Sequence, residues 1–540
     1  MNQSRRAPGG RALWATLALG LGSAAPRLAR AQQNERYTVF RVGADVGFSR
    51  LANENFYQVN ATGLLRLGPF RTDFAFPLRF RSSDLAFREQ DYAEGRDYLR
   101  AVRCARLDFG DYRRPADRYD ASCEAWGSQR GLHDRQYLSL RVSPLRDFSL
   151  GHNTLVSGFN NSLDPNRPQL GAVADLVVRD IAHAHAVIDD VASPRLMAAQ
   201  ASLRPLQVLG QNWDETPDDL QLDVSVVRDN AAPLRVRTAF GEPLRDGQGN
   251  LQSATTALTA LSAAAHYLYL WSACTAQSNE ACERSTLSGL FAYADYNRFV
   301  EVADADGLHA GVHYRYMQRQ RYRMVNDQTL PGAGRMFDTW ELRVGAEYRN
   351  MGNRYLPEYF DGNYGVQSQQ FALNDAARRA LGPDAQSTTK LEFLLSQPEG
   401  RQHGLQAYLR LYIPIPTAAQ EPPSRLPITL FVEDASGPLR TSVGATVGPL
   451  QIDQLVIAAQ YLRRNFEGLD AIFELDGSLF RVLGAMYLTS QAQRRQAPDS
   501  LLNNLMLNLS FNRRFLRQDS GNLVSTNDFI VTLGTSTGVN

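Results

Sequence analysis

Across 540 residues the chain carries 57 basic and 56 acidic side chains, a formal charge of +1. That balance excludes a nucleic-acid binder, which needs a large basic excess. No segment beyond the N-terminus offers the roughly 18 uninterrupted apolar residues of a spanning helix, so a helical membrane protein is excluded as well.

The first segment is a basic start (Arg5, Arg6, Arg11), the short apolar run Ala12–Ala25, and the small-residue exit Ala29-x-Ala31. This is the pattern of a secretory signal peptide over residues 1–31, with cleavage after Ala31. No cysteine follows that point to carry a lipid. Cleavage removes five arginines and no acid, leaving 52 basic against 56 acidic side chains in 32–540. An exported chain without spanning helices is soluble, surface-attached or a β-barrel, because only helices and closed barrels satisfy their backbone in lipid.

Period-2 patterning then recurs to the end, and helical periodicity is scarce. Residues 37–49 and 56–67 lead into "LGPFRTDFAFPLRFR" (67–81), where Phe70, Thr72, Phe74, Phe76, Leu78 and Phe80 share one side. Arg71, Asp73, Ala75, Pro77, Arg79 and Arg81 share the other. Further runs are read at 97–109, 135–143, 147–157, 170–181, 182–190, 196–204, 219–229, 256–271 and 284–300. They continue at 306–324, 338–350, 388–396, 403–413, 426–433, 439–447, 450–462, 469–476, 479–491, 501–514 and 526–534. Many approach the roughly 9–11 residues of a tilted membrane strand. The fold expected is all-β, a single closed antiparallel transmembrane barrel of about 16–22 strands.

Phrases such as Gly68-Pro69, Ser143-Pro144, Arg204-Pro205, Ala232-Pro233, Gly437-Pro438 and Gly448-Pro449 predict tight turns, since proline fixes φ and cannot donate to the ladder. Long polar connections are expected at 82–96, 110–134, 158–168, 272–283, 325–337, 351–387 and 414–425. Short periplasmic turns opposed to long extracellular loops is the asymmetry of outer-membrane barrels. One helix is predicted, Asn374 to Leu381, stopped by Gly382-Pro383. Cys104 with Cys123 and Cys274 with Cys282 form two local pairs, read as loop disulfides in an oxidising compartment.

Two runs carry the strongest charge patterning. In 307–324 one face holds His309, His313, Arg315, Arg319, Arg321 and Arg323. In 338–350 one face holds Glu341, Arg343, Glu347 and Arg349. A soluble sandwich would put these ladders in bulk water, but a core spread over so many segments would normally split into domains. A wet lumen is therefore expected, with Arg71, Asp73 and Arg79 on the same wall. Such groups either tune passage through a water-filled pore or block it as tight pairs.

Two other constellations carry chemistry. His183 and His185, two residues apart, could share a metal with Asp189; the alternative is two polar residues facing a lumen. His152, Thr154 and Asn166 follow the spacing of a lipid hydrolase built on a strand. There the His and Thr would face lipid, but threonine stands where a serine nucleophile is needed. No cofactor motif occurs, and the chain is expected not to be an enzyme.

Taken together, residues 36–540 resemble a Gram-negative outer-membrane β-barrel, porin-like. "SLGHNTLVSGFNNSLDP" and "EYRNMGNRYLPEYFDGNYG" resemble phrases of large uncharacterised barrels of myxobacterial type. The resemblance implies the cell outer membrane, with outer-membrane lipid, the barrel-assembly machinery and small hydrophilic solutes as partners. It leaves the oligomeric state open. Barrels of this kind commonly end in an aromatic residue, whereas here Phe529 is the last, eleven residues before Asn540. Either the closing strand is recognised differently or a short tail follows it.

Overall fold

The computed structural model describes residues 38–539 apart from 111–135, 209–218, 323–334, 372–388, 416–423, 467–477, 490–505 and breaks of seven residues or fewer. The signal segment, Cys123, Asn166, Arg323, the predicted helix 374–381 and the predicted strand 469–476 lie outside the described residues.

Strands dominate. In chain order they are β1 (Thr38–Leu51), β2 (Glu54–Leu67), β3 (Phe70–Arg81), β4 (Val102–Gly110), β5 (Tyr137–Ser143), β6 (Phe148–Leu150), β7 (Val156–Phe159), β8 (Gly171–Val178) and β9 (Ala182–Ile188). Next come β10 (Leu196–Leu203), β11 (Asp219–Val236), β12 (Thr238–Ala239), β13 (Glu242–Pro243), β14 (Ser253–Ser278), β15 (Ala281–Phe299), β16 (Asp306–Tyr322), β17 (Arg335–Gly352) and β18 (Phe360–Asp361). The last are β19 (Arg401–Ile415), β20 (Ser424–Ala435), β21 (Thr441–Ile452), β22 (Leu455–Phe466), β23 (Ser478–Tyr487), β24 (Met506–Arg517) and β25 (Leu523–Val539). No described helix is long and apolar enough to cross a membrane.

Among the described residues, twenty strands form one antiparallel sheet in which each pairs with the next in sequence, leaving out β6, β7, β12, β13 and β18. The last strand pairs with the first, from Phe40 opposite Val539 to Arg50 opposite Phe529. β25 therefore runs ten residues past Phe529.

Alternation sorts the two faces, but with the burial of a soluble protein inverted. On β11, Gln221, Asp223 and Ser225 are buried, Asp223 at 4% exposure, whereas Leu222, Val224 and Val226 are exposed, Val224 at 58%. On β2, Gln58 and Asn60 are buried while Tyr57 and Val59 are exposed. On β3 Arg71 and Ala75 are buried while Phe76 and Leu78 are exposed. One face of the sheet is thus polar and covered, and the other apolar and uncovered. A soluble fold buries the opposite set.

Several proline phrases do something other than turn. Ala232-Pro233 lies inside β11 at a register shift, and Gly448-Pro449 inside β21 at another, Gly448 having φ 89. Proline deletes one ladder bond there, and a bulge absorbs the mismatch. Pro205 opens a four-residue helix, Pro205–Val208. Residues 272–283 are mostly strand, because β14 and β15 continue their pairing to Ser278 opposite Ala281.

The run 147–157 is two short strands, β6 and β7, outside the large sheet. The run 388–396 is a helix, α1 (Lys390–Ser396), capped by the Thr389 side chain accepting from the Glu392 N–H.

Consecutive antiparallel strands send successive connections to alternate ends. Leu51 and Leu67 therefore close their strands at opposite ends of the sheet, as do Gly110 and Gly352, each of which precedes a long connection in the sequence. The expected split into short turns at one end and long loops at the other does not hold. Two long connections of one end, β5 to β8 and β17 to β19, instead fold back onto the polar face and meet. There β7 pairs in parallel with β18, Val156 opposite Phe360. This insert has an apolar centre of Leu145, Phe148, Phe159, Phe360, Tyr364 and Phe393. It packs on Val173, Val187, Leu196, Val227, Leu258 and Phe299 of the large sheet.

Candidate functional site: the polar face and its insert

The charge ladders share the polar face, as their parity predicts, and cross-strand pairing organises them. Arg315 of β16 stands opposite Arg343 of β17, which stands opposite Arg410 of β19. A second row joins Arg71 of β3, Arg106 of β4 and Arg141 of β5. Like charges placed directly opposite one another destabilise a sheet, so these rows exist at a cost to the fold.

In the first row the compensating anion is Glu341, which accepts from Arg315 at 2.8 Å, from Arg343 at 2.5 Å and from Arg425 at 2.7 Å. Glu341 is almost wholly buried, but the three arginine side chains keep 36%, 33% and 24% of their surface. In the second row Arg106 pairs with Asp108 at 2.8 Å, and Arg71 lies 3.7 Å from Asp73. Arg79 is elsewhere engaged, with buried Asp91 at 3.1 Å. Arg319 and Arg321 are on β16, opposite Asp338 and Met336, and a register shift begins at Arg319.

Nearer the end of β17 from which the insert departs, the ladder is closed by the insert. Arg349, 1% exposed, is bonded to Glu347 and Glu433 and lies 3.7 Å from Glu358 of the insert. Glu347 also accepts from the Tyr293 hydroxyl and meets His309 Nδ1 at 2.8 Å. His309 Nε2 is 3.2 Å from the Tyr355 hydroxyl of the insert. His313 meets the Tyr408 hydroxyl at 2.5 Å.

Further along, Tyr364 of the insert donates to Asp229 at 2.6 Å, and Arg195 holds the same carboxylate through two nitrogens. Burial pushes the Tyr355 and Tyr364 hydroxyls well above the ordinary tyrosine range, so both stay neutral donors. The insert's contact with the sheet is thus a set of buried ionic and hydrogen-bonded pairs. The sequence pattern missed this because its partners are far apart in the chain.

The two low-lying chemical constellations resolve differently. His152 and Thr154 do not face lipid. They sit in the turn between β6 and β7, against the polar face, because the strand expected there is interrupted. Thr154 Oγ1 donates to Asp295 and accepts from Asn297 at 2.9 Å, so its hydroxyl proton is committed to a carboxylate and not to His152. His183 and His185 do converge on a carboxylate, but it is Asp175 of β8, at 3.1 and 2.5 Å. Asp189 lies beyond the strand end, accepting from the Arg195 and Leu196 N–H groups of the next turn. A second cluster, His152 with Asp223 and His266, was not legible, since it joins three segments of the chain.

Cys104 is fully buried on β4 and is not a free thiol. Cys274 stands opposite Ser285, and Cys282 opposite Gln277, on the β14–β15 hairpin.

No protein-family model matches the chain, and no curated protein matches it. Among solved structures it is similar to a mutant of the ferric enterobactin receptor PfeA from Pseudomonas aeruginosa. That likeness has 10% identity over 93% of this chain and 81% of that one, with a TM-score of 0.31. It is similar also to OprD of Pseudomonas aeruginosa, at 7% identity over 95% and 98% of the two chains and a TM-score of 0.30. The FrpB iron transporter from Neisseria meningitidis gives 9% identity over 95% and 83%, with a TM-score of 0.30. At such scores the likeness decides nothing about this chain, whose function has to be argued from its own side chains.

Proposed function

We propose that the chain is an outer-membrane β-barrel of twenty strands, exported by its N-terminal segment, and that it passes small hydrophilic solutes through a lumen narrowed by the insert. Pairing of β25 with β1 supports closure. The uncovered apolar face suits lipid, and the covered polar face suits a wet interior. Cys104, which is not a free thiol, belongs to the same reading as one half of a disulfide with Cys123 formed after export, whereas Cys274 and Cys282 stand three register positions apart, too far for a bond without movement of the hairpin.

The observation that carries a pore rather than a sealed cylinder is the group of Arg315, Arg343 and Arg425. Three guanidinium groups share one buried glutamate and keep a quarter to a third of their surface. Packing ions would be covered; these retain a solvated side. Six strands separate the two arginine rows in one direction around the sheet and eight in the other, so the two rows are about opposed. A lumen walled in this way prefers anionic solutes.

The test is single-channel conductance of the folded protein in a planar bilayer, comparing wild type with the double variant Arg315→Glu/Arg343→Glu. Anion preference in the wild type, reversed in the variant, is expected. A silent protein that is demonstrably inserted supports the second reading, a sealed barrel whose remaining loops meet partners. The buried pairs of Arg349 and Asp229 with the insert are the observation in that reading's favour.

A further inference from the structure

We infer that His152, Asp223 and His266 form a binding site for a borderline divalent transition-metal ion such as zinc, which fastens the insert to the wall. His152 comes from the turn of the insert, Asp223 from β11 and His266 from β14; one ligand atom of each lies within 4.8 Å of the other two. Two imidazoles and one carboxylate are the donor set that zinc and its neighbours in the series favour over calcium or magnesium.

The separation of His266 and Asp223 suits two ligands of one ion. His266 Nδ1 is 3.4 Å from Asp223 Oδ2, longer than the roughly 2.7–3.2 Å of a formed N–H···O bond. Tetrahedral zinc with bonds of roughly 2.0–2.2 Å holds its ligand atoms about 3.3–3.6 Å apart. His266 is buried, and its Nδ1 makes no hydrogen bond among the described residues. The other oxygen of Asp223 accepts from Gln221 Nε2 at 2.7 Å, which leaves Oδ2 turned toward the imidazole. That is the orienting contact ligating carboxylates commonly receive.

His152 is likewise held in place. Gly151 and Asn153 on either side of it have φ 57 and 66, and the Gly151 N–H donates to Gln200 of β10 at 3.0 Å. Its ring stacks on Tyr293 at 4.3 Å and meets the edge of His266 at 5.2 Å. Three protein ligands leave a fourth position open for water or an anion.

The neighbouring cluster of Asp175, His183 and His185 differs in kind. Both imidazoles contact the same oxygen, Asp175 Oδ1, one of them at 2.5 Å. That is a carboxylate accepting two hydrogen bonds, and it lacks the gap an ion would occupy.

The experiment is calorimetric titration of the folded, detergent-solubilised protein with Zn2+, with bound metal counted after dialysis and Mg2+ as the control ion. One Zn2+ per chain is expected, with no Mg2+ bound. Affinity falls at least tenfold in His152→Ala, His266→Ala and Asp223→Asn, and is unchanged in Asp175→Asn. Absence of stoichiometric binding overturns the site, as does binding unchanged in both histidine variants. Binding lost in Asp175→Asn but kept in His152→Ala places the ion in the neighbouring cluster and overturns this assignment too. Should His266→Ala fail to fold, His152→Ala and His152→Gln, in a turn outside the large sheet, decide the question.

Discussion

Lys390 Nζ lies 3.4 Å from a carboxylate oxygen of Asp361, and both side chains are buried inside the insert. This is the one lysine of the whole chain. It also donates to the Tyr359 carbonyl at 2.7 Å and lies within 5.1–5.9 Å of the rings of Tyr359, Tyr364 and Phe371. Removing the cation leaves Asp361 charged in a dry setting, a loss of about 3–5 kcal/mol for a buried pair. Lys390→Met is therefore expected to lower the thermal unfolding midpoint. An amine-directed label, read by peptide mass spectrometry, should miss Lys390 in the folded protein and modify it after denaturation. Ready labelling of the folded protein would mean that the insert itself opens.

Gly311 of β16 is opposite Tyr293 of β15, whose ring occupies the space a side chain would need: a Cβ on Gly311 would lie 2.3 Å from it. Tyr293 in turn bonds Glu347 and stacks on His152. Gly311→Val is expected to destabilise by about 1–3 kcal/mol, the ordinary cost of overpacking a filled site. Tyr293→Ala in the same chain should recover part of that loss. The midpoints of the single and double variants, compared in a cycle, check this; strictly additive losses would exclude the contact.

Alternation was the legible part of this protein. Arg71 and Ala75 fall on one side and Phe76 and Leu78 on the other because strand parity is fixed by the backbone, whatever the chain does later. The same logic put His309, Arg315, Glu341, Glu347 and Arg349 on one face.

What failed were inferences from single residues. Proline at 233 and 449 reads as a turn, yet in a long strand with strong pairing on both sides a bulge is the smaller disruption. The run 388–396 reads as alternation over nine residues, too short a window to separate a strand from two helical turns. The insert was invisible for a different reason. Its partners, such as Thr154 with Asp295 or Tyr364 with Asp229, are more than 130 residues apart, and no local period encodes such pairs.

If the apolar face meets lipid, charge placed on it should cost free energy according to depth. Val312, 51% exposed, is near the middle of β16, whereas Gln318 shares its face near the strand end, beside Tyr316 and Trp340. Val312→Arg is expected to destabilise the folded state by about 2–4 kcal/mol, and Gln318→Arg by about 0–1 kcal/mol. Refolding titrations in lipid vesicles would measure both. Equal and negligible costs would mean that this face lies in water.

If the polar face lines a pore that the insert narrows, Arg349 is the residue whose loss should widen it. Its guanidinium is bonded to Glu347 and Glu433 of the wall and lies 3.7 Å from Glu358 of the insert, where Glu358 itself has φ 52, a strained backbone for a residue with a side chain. In Arg349→Met the three carboxylates lose the cation they share, and the added repulsion falls on the element least able to resist it. The wall strands are held by ladders on both sides, so the insert is the part expected to move. Single-channel conductance of Arg349→Met should exceed that of the wild type, with larger fluctuations. Glu358→Gln, which keeps shape and removes one of the three charges, should leave conductance close to the wild-type value. Equal conductance in Arg349→Met and wild type, in protein shown to be folded, would mean that the insert does not set the width of the path.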